Sequence, residues 1–165
     1  MMQDTDPMKI ITTDLLNAMI ALAGRNPRRR TNYNIHESAD DPVQRYLIAA
    51  RMDSYFRPHR HPVVAEFAIV VLGRFDVLVF DDDGRVIRRV PVGPGTGAVG
   101  FELQPGVWHS WVPMTDAAVF AEVKEGPYTP RTAAEFAPWS PAEGTPEAAL
   151  FLDRMRRADA GTLPA

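Results

Sequence analysis

Apolar and polar positions alternate in short runs along most of the chain, and the period changes only at its two ends. Near the start, Leu15, Leu16, Met19, Ile20 and Ala23 recur every three or four residues, the spacing of a helix with one buried face. Thr12 or Thr13 supplies its cap, Gly24 is a natural C′ residue, and Pro27 forbids continuation. From Val43 onward the runs shorten to strand length: Val43–Met52, Tyr55–Arg60, Glu66–Leu72, Phe75–Phe80, Arg85–Val90, Val99–Leu103, His109–Pro113 and Ala117–Lys124. Asp81-Asp82-Asp83-Gly84 makes a tight hairpin turn, and Pro91–Gly97 is too rich in Gly and Pro to be regular. Short strands with turn signals about every eight to twelve residues predict an all-β antiparallel sandwich or barrel rather than a βαβ fold. Beyond Gly126-Pro127 further prolines keep the chain irregular until Thr145-Pro146-Glu147 opens a second helix. Its apolar stripe is Ala148, Phe151, Leu152 and Met155, which predicts a helix docked on the body.

Two stretches break the alternation. Phe67–Leu72, FAIVVL, is apolar on both faces, so either a terminal helix or a second subunit must cover its outer side. In Arg28–Arg45 the polar residues are ordered: Asn32, Asn34 and His36 fall on alternate positions, with Thr31, Tyr33 and Ile35 between them. An extended backbone would show the first three on one face. The stretch is therefore either a solvated loop or a polar strand lining a pocket, and Arg28–Arg30 is read as solvated surface rather than a phosphate site.

Composition narrows the chemistry. The 165 residues, 45% hydrophobic and 24% charged, are those of an ordinary globule, and a net charge of −3 gives no reason to expect nucleic acid or an anionic membrane. No run is long and apolar enough to span a bilayer, and acids stand near the N-terminus where a signal peptide would carry bases, which predicts a cytoplasmic protein. Without cysteine, any metal must sit on His, Asp, Glu or water. Lysine occurs only at Lys9 and Lys124, which singles out Lys124.

In Arg57–Gly73, His59 and His61 lie two residues apart and so share a face in extended chain, while Glu66 opens the next run and can return to them across a hairpin. Two imidazoles and a carboxylate suit one divalent transition ion, Zn, Ni, Mn or Fe(II), and lack one further ligand. The spacing H-x-H-x4-E-x6-G at His59, His61, Glu66 and Gly73, followed by P-G-x-x-H at Pro105, Gly106 and His109, resembles the two-motif signature of the cupin superfamily. Pro113 stands where many cupins have asparagine. The stretches RRRTNYNIH, DDPVQR, RPHRHP, PGVWH, EVKEGPY and FAPW resemble, more narrowly, the WbuC family of cupin-fold metalloproteins. The resemblance implies a cupin-type jelly roll with flanking helices, His109 as the fourth ligand, and a setting in bacterial polysaccharide (O-antigen) gene clusters. The expected organisation is one domain: a tail and helix (1–27), the barrel (28–127), and a Pro-rich segment with the second helix (128–165).

Four such ligands leave two octahedral positions open to a small molecule. Glu122 and Lys124 share a face of the last strand and are candidate proton carriers, with His36 a third. Tyr33, Asn34, Gln44, Arg45 and Arg57 suit a polyhydroxylated or anionic ligand. The expected activity is isomerase or epimerase chemistry on a small sugar-like or carboxylate substrate in a homodimer. The alternatives are a non-catalytic saccharide-binding or sensing module and an Fe(II) dioxygenase. A buried Glu122 or His36 beside the metal favours the enzyme.

Overall fold

A computed structural model describes residues 7–130 and 133–163. Helix α1 (Thr13–Arg25) begins where the Thr12 hydroxyl accepts the Leu15 N–H. It runs past Gly24 to Asn26, whose N–H closes on the Leu22 and Ala23 carbonyls, so Gly24 lies inside the last turn instead of ending it. Ten strands follow: β1 (Arg30–Asn34), β2 (Val43–Arg51), β3 (His59–Arg60), β4 (Glu66–Leu72), β5 (Phe75–Phe80), β6 (Val86–Val92), β7 (Gly100–Leu103), β8 (Trp108–Pro113), β9 (Ala117–Glu125) and β10 (Glu135–Phe136). Helix α2 (Pro146–Arg157) follows β10.

The strands form two five-stranded antiparallel sheets, ordered β1-β2-β9-β4-β7 and β10-β3-β8-β5-β6. Strands distant in sequence lie side by side, as in a jelly-roll sandwich. Between the sheets, Phe56, Val70, Phe75, Trp111 and Phe120 form the central core. Trp111 of one sheet stacks on Phe120 of the other, ring centroids 3.9 Å apart and planes 9° from parallel. Each such buried aromatic stabilises the sandwich by about 2–3 kcal/mol.

The helices cover the outer faces. Met19 and Ala23 of α1 pack on Leu47, Ala49 and Val119. Phe151, Leu152 and Met155 of α2 pack on Leu78, Phe80, Trp108 and Val112. The C-terminal end of α2 is held by Arg89, which donates to the Met155, Arg156 and Ala158 carbonyls while pairing with buried Asp76. A cation at that end also meets the negative pole of the helix dipole.

No helix covers β4. Glu66, Ala68 and Val70 point inward, but Phe67, Ile69 and Val71 stay exposed because α1 lies over β1, β2 and β9. The terminal-helix explanation of that apolar run is thereby corrected. Gly73, at the end of β4, has φ +70°, and a Cβ there would run into the Ala117 carbonyl oxygen and Thr115 Oγ1. Glycine is the residue that permits so close a turn.

Candidate metal centre

The register of the two sheets builds the site. On the first, Gln44 of β2, Lys124 of β9 and Glu66 of β4 are cross-strand partners in one row, and Asn34, Tyr46, Glu122 and Ala68 form the next. Directly opposed residues share a face, so both rows look into the sandwich. On the second sheet, His59 of β3 stands directly opposite His109 of β8, and His61 follows β3 by one residue. The ligand atoms of His59, His61, Glu66 and His109 lie within 4.8 Å of one another.

Each imidazole is oriented by the backbone. The Nδ1–H groups of His59, His61 and His109 donate to the carbonyls of Arg57 (2.9 Å), Ala133 (2.5 Å) and Val107 (2.9 Å). That fixes the tautomer and turns every Nε2 toward Glu66, as carbonyls behind metal-bound histidines do. His61 Nε2 lies 2.8 Å from Glu66 Oε2, while His109 Nε2, 3.7 Å away, is buried with no hydrogen-bond partner. Lone pairs crowded this closely call for a cation among them, so the donor set fits a divalent ion. Trp111 Nε1–H holds the other oxygen, Oε1, at 3.3 Å.

Electrostatics favour the binding form of His59 and Glu66, whereas His109 is pushed up, its burial outweighed by neighbouring Glu66. Burial, then neighbouring His109, holds His59 well below the usual imidazole value. Burial alone would raise Glu66, but His109, His61 and Lys124 hold its carboxyl well below the usual range. Burial and the charge of Glu66 push Glu122 up, against the opposing pull of Lys124.

A cavity of about 500 Å³ opens onto His59. One wall is polar, with Asn32, Asn34, His36 and Tyr46; another is apolar, with Ile48, Phe56, Trp111 and Phe120; Glu122 and Lys124 stand between them. Glu122 and His36 are 8% and 5% exposed, and Glu122 is ion-paired to Lys124. Because β9 lies between β2 and β4, this pair is inside the sheet, not at an edge. The Arg45 N–H donates to His36 Nδ1, and Tyr46 packs edge-on against the same ring at 4.8 Å.

Other expected ligand contacts lie elsewhere. Tyr33 and Arg45 occupy the opposite parity of β1 and β2 from Asn34 and Tyr46 and do not line the cavity. Arg57 precedes β3 and is not in a strand, so its alternation with the histidines fails; its guanidinium donates to Ser140 and Ala137 instead. Gln44 reaches the cavity, but its amide nitrogen donates to the Ala39 and Asp41 carbonyls and its oxygen accepts from Tyr46. It positions Tyr46, which the sequence reading overlooked although it alternates with Gln44 on β2. Arg28 and Arg30 are not free surface charges, since both pair with Glu143.

Residues 11–92 match a family described as a domain of unknown function (DUF6016). No curated protein matches the sequence. Solved structures share the fold. A cupin 2 conserved barrel domain protein from Rhodopseudomonas palustris matches 65% of this chain and 66% of its own, with 12% identity and a TM-score of 0.51. An oxalate oxidase solved with glycolate matches 68% of this chain and 57% of its own, with 16% identity and a TM-score of 0.52. DMSP lyase DddQ from Ruegeria pomeroyi matches 65% and 51%, with 17% identity and a TM-score of 0.50. The structural neighbours are cupin-fold proteins, and the two antiparallel sheets with their flanking helices fit the cupin jelly roll. Among the described residues, no helix is long and apolar enough to cross a membrane.

Proposed function

We propose that this chain is a divalent-metal cupin of the WbuC type that moves a proton on a small sugar-like or carboxylate molecule, giving isomerase or epimerase chemistry. The resemblance of its motifs to WbuC supports a role for that activity in bacterial polysaccharide biosynthesis. The observation that carries the reading is Glu122, a buried carboxylate on the cavity wall whose β9 strand pairs with the strand bearing Glu66.

His59, His61, Glu66 and His109 would hold the ion, which would polarise a carbonyl oxygen of the ligand and acidify the adjacent C–H. Glu122 takes that proton on a carboxylate oxygen and returns it to the neighbouring carbon, while the hydroxyl proton of the first carbon passes to the former carbonyl oxygen, or returns it to the other face of the same carbon. Burial withdraws the carboxylate from water, which makes it a stronger base than a solvated one. Lys124 neutralises Glu122 when the carboxylate is charged. Asn32, Asn34 and Tyr46 offer hydroxyl-sized hydrogen-bond partners on one wall, and the aromatic wall accommodates the apolar face of a sugar ring.

The test is solvent exchange. Metal-loaded protein is incubated in D2O with aldoses, ketoses and sugar acids, and deuterium at the carbon beside the carbonyl is read by NMR. Wild type should label at least one of them, and Glu122→Gln should slow labelling by about a hundredfold or more. A ligand that binds without exchanging in wild type would identify a binding module instead. The exposed face of Phe67, Ile69 and Val71 supports a homodimer through β4, checked by light scattering on wild type and Ile69→Asp.

A further inference from the structure

Lys124 stands in an unusual relation to the four candidate ligands. It is the cross-strand partner of Glu66 in the β4–β9 ladder. Its Nζ lies 3.8 Å from Glu66 Oε2 and 3.4 Å from His61 Nε2, the two ligand atoms that face each other. The same ammonium pairs with Glu122 Oε1, and its distance to the Tyr46 ring centroid is 5.9 Å. Arg28 and Arg30, the guanidinium groups on the cavity wall, are committed to Glu143. Lys124 is thus a cation placed between two carboxylates, one belonging to the ligand set and one not.

We propose that Lys124 is a built-in competitor for the metal. Its ammonium, paired with Glu122, also lends charge to Glu66 from 3.8 Å, and Glu122 with the Tyr46 ring holds it back when an ion enters. The Glu122–Lys124 pair therefore sets how tightly the centre holds its metal. This rests on the metal reading above. The physical basis is direct: an ammonium within 4 Å of a ligand oxygen raises the cost of adding a second cation to that oxygen. The cost is reduced because the lysine stem can redirect its charge. A buried carboxylate and an aromatic face provide places for it to go. The arrangement also accounts for a buried Glu66 being tolerable without an ion, since Lys124 supplies compensating charge.

The test measures Zn²⁺ affinity of the full chain by chelator competition, for wild type, Lys124→Gln, Glu122→Gln and the double variant. Lys124→Gln should bind Zn²⁺ on the order of tenfold more tightly than wild type. Glu122→Gln should bind more weakly, because the freed ammonium turns to Glu66. The double variant should resemble Lys124→Gln, since Glu122 acts through Lys124. Mere structural damage would weaken binding in every variant. Lys124→Met, of similar length and uncharged, should tighten binding as well and guards against a disturbance peculiar to glutamine. After chelation, Lys124→Gln should melt below wild type, and Zn²⁺ should raise its Tm by more. Unchanged or weaker Zn²⁺ binding in both Lys124 variants overturns the proposal while leaving the metal centre standing. Wild type binding no more Zn²⁺ than His59→Ala/His109→Ala overturns both.

Discussion

Trp111 and Glu66 divide the carboxylate between them: the indole N–H takes Oε1 at 3.3 Å, leaving Oε2 to face the imidazoles. The indole is buried and stacked on Phe120, so the orientation of the carboxylate is fixed by the core itself. A ligand held by its other oxygen loses little freedom when an ion binds.

Trp111→Phe should keep the stack but lose the N–H. Metal affinity should fall by roughly tenfold, read by chelator competition, with the fold intact by circular dichroism. Unchanged affinity would mean that the indole serves packing alone.

Arg28 and Arg30 both reach Glu143 and clamp the start of β1 to the segment before α2. Burial alone would raise the Glu143 carboxyl, but its arginine partners bring it below the usual value. A carboxyl lowered on folding stabilises above its unfolded pKa, about 4.3, and that contribution disappears as pH falls through the folded value. Glu143→Gln should therefore cost about 1 kcal/mol near neutrality and almost nothing once the pH has fallen through the folded value, in urea titrations across pH. A cost that persists in acid would show that the clamp does not depend on charge.

Asp76 is 1% exposed between Arg74 and Arg89. Asp76→Asn leaves Arg89 partly buried and short of its counter-ion, and should lower stability by about 3 kcal/mol in urea unfolding. Because Arg89 also holds the α2 carbonyls, the end of that helix should lose amide-exchange protection first.

Much of this was legible in the sequence because it is carried by local period. Seven of the eight strand runs, the Thr12 cap and the stripe of α2 follow from spacing that any core would impose; of the expected Tyr55–Arg60 strand only His59–Arg60 pairs into a sheet. The coming together of His59, His61 and Glu66 with distant His109 was legible only through a two-motif pattern, since sequence spacing alone does not say which strands pair. Tyr33 and Arg45 were named as contacts although each is adjacent to a residue named for the same role (Asn34, Gln44) and so takes the opposite parity; both face away from the cavity while Tyr46 faces in. Arg57 was misread because Tyr55–Pro58 lies outside the sheets, with Arg57 anchored to Ser140 some eighty residues away in sequence. β10 is only two residues long, too short to leave a periodic signal. The bare outer face of β4 shows the opposite limit: the pattern announced a covered surface, and the single chain leaves it open.

The central claim is that His59, His61, Glu66 and His109 hold one divalent ion. Elemental analysis of purified wild type and of His59→Ala/His109→Ala tests it most directly. The account predicts about one transition-metal ion per chain in wild type and none above background in the double variant. Full retention of metal in that variant would contradict it.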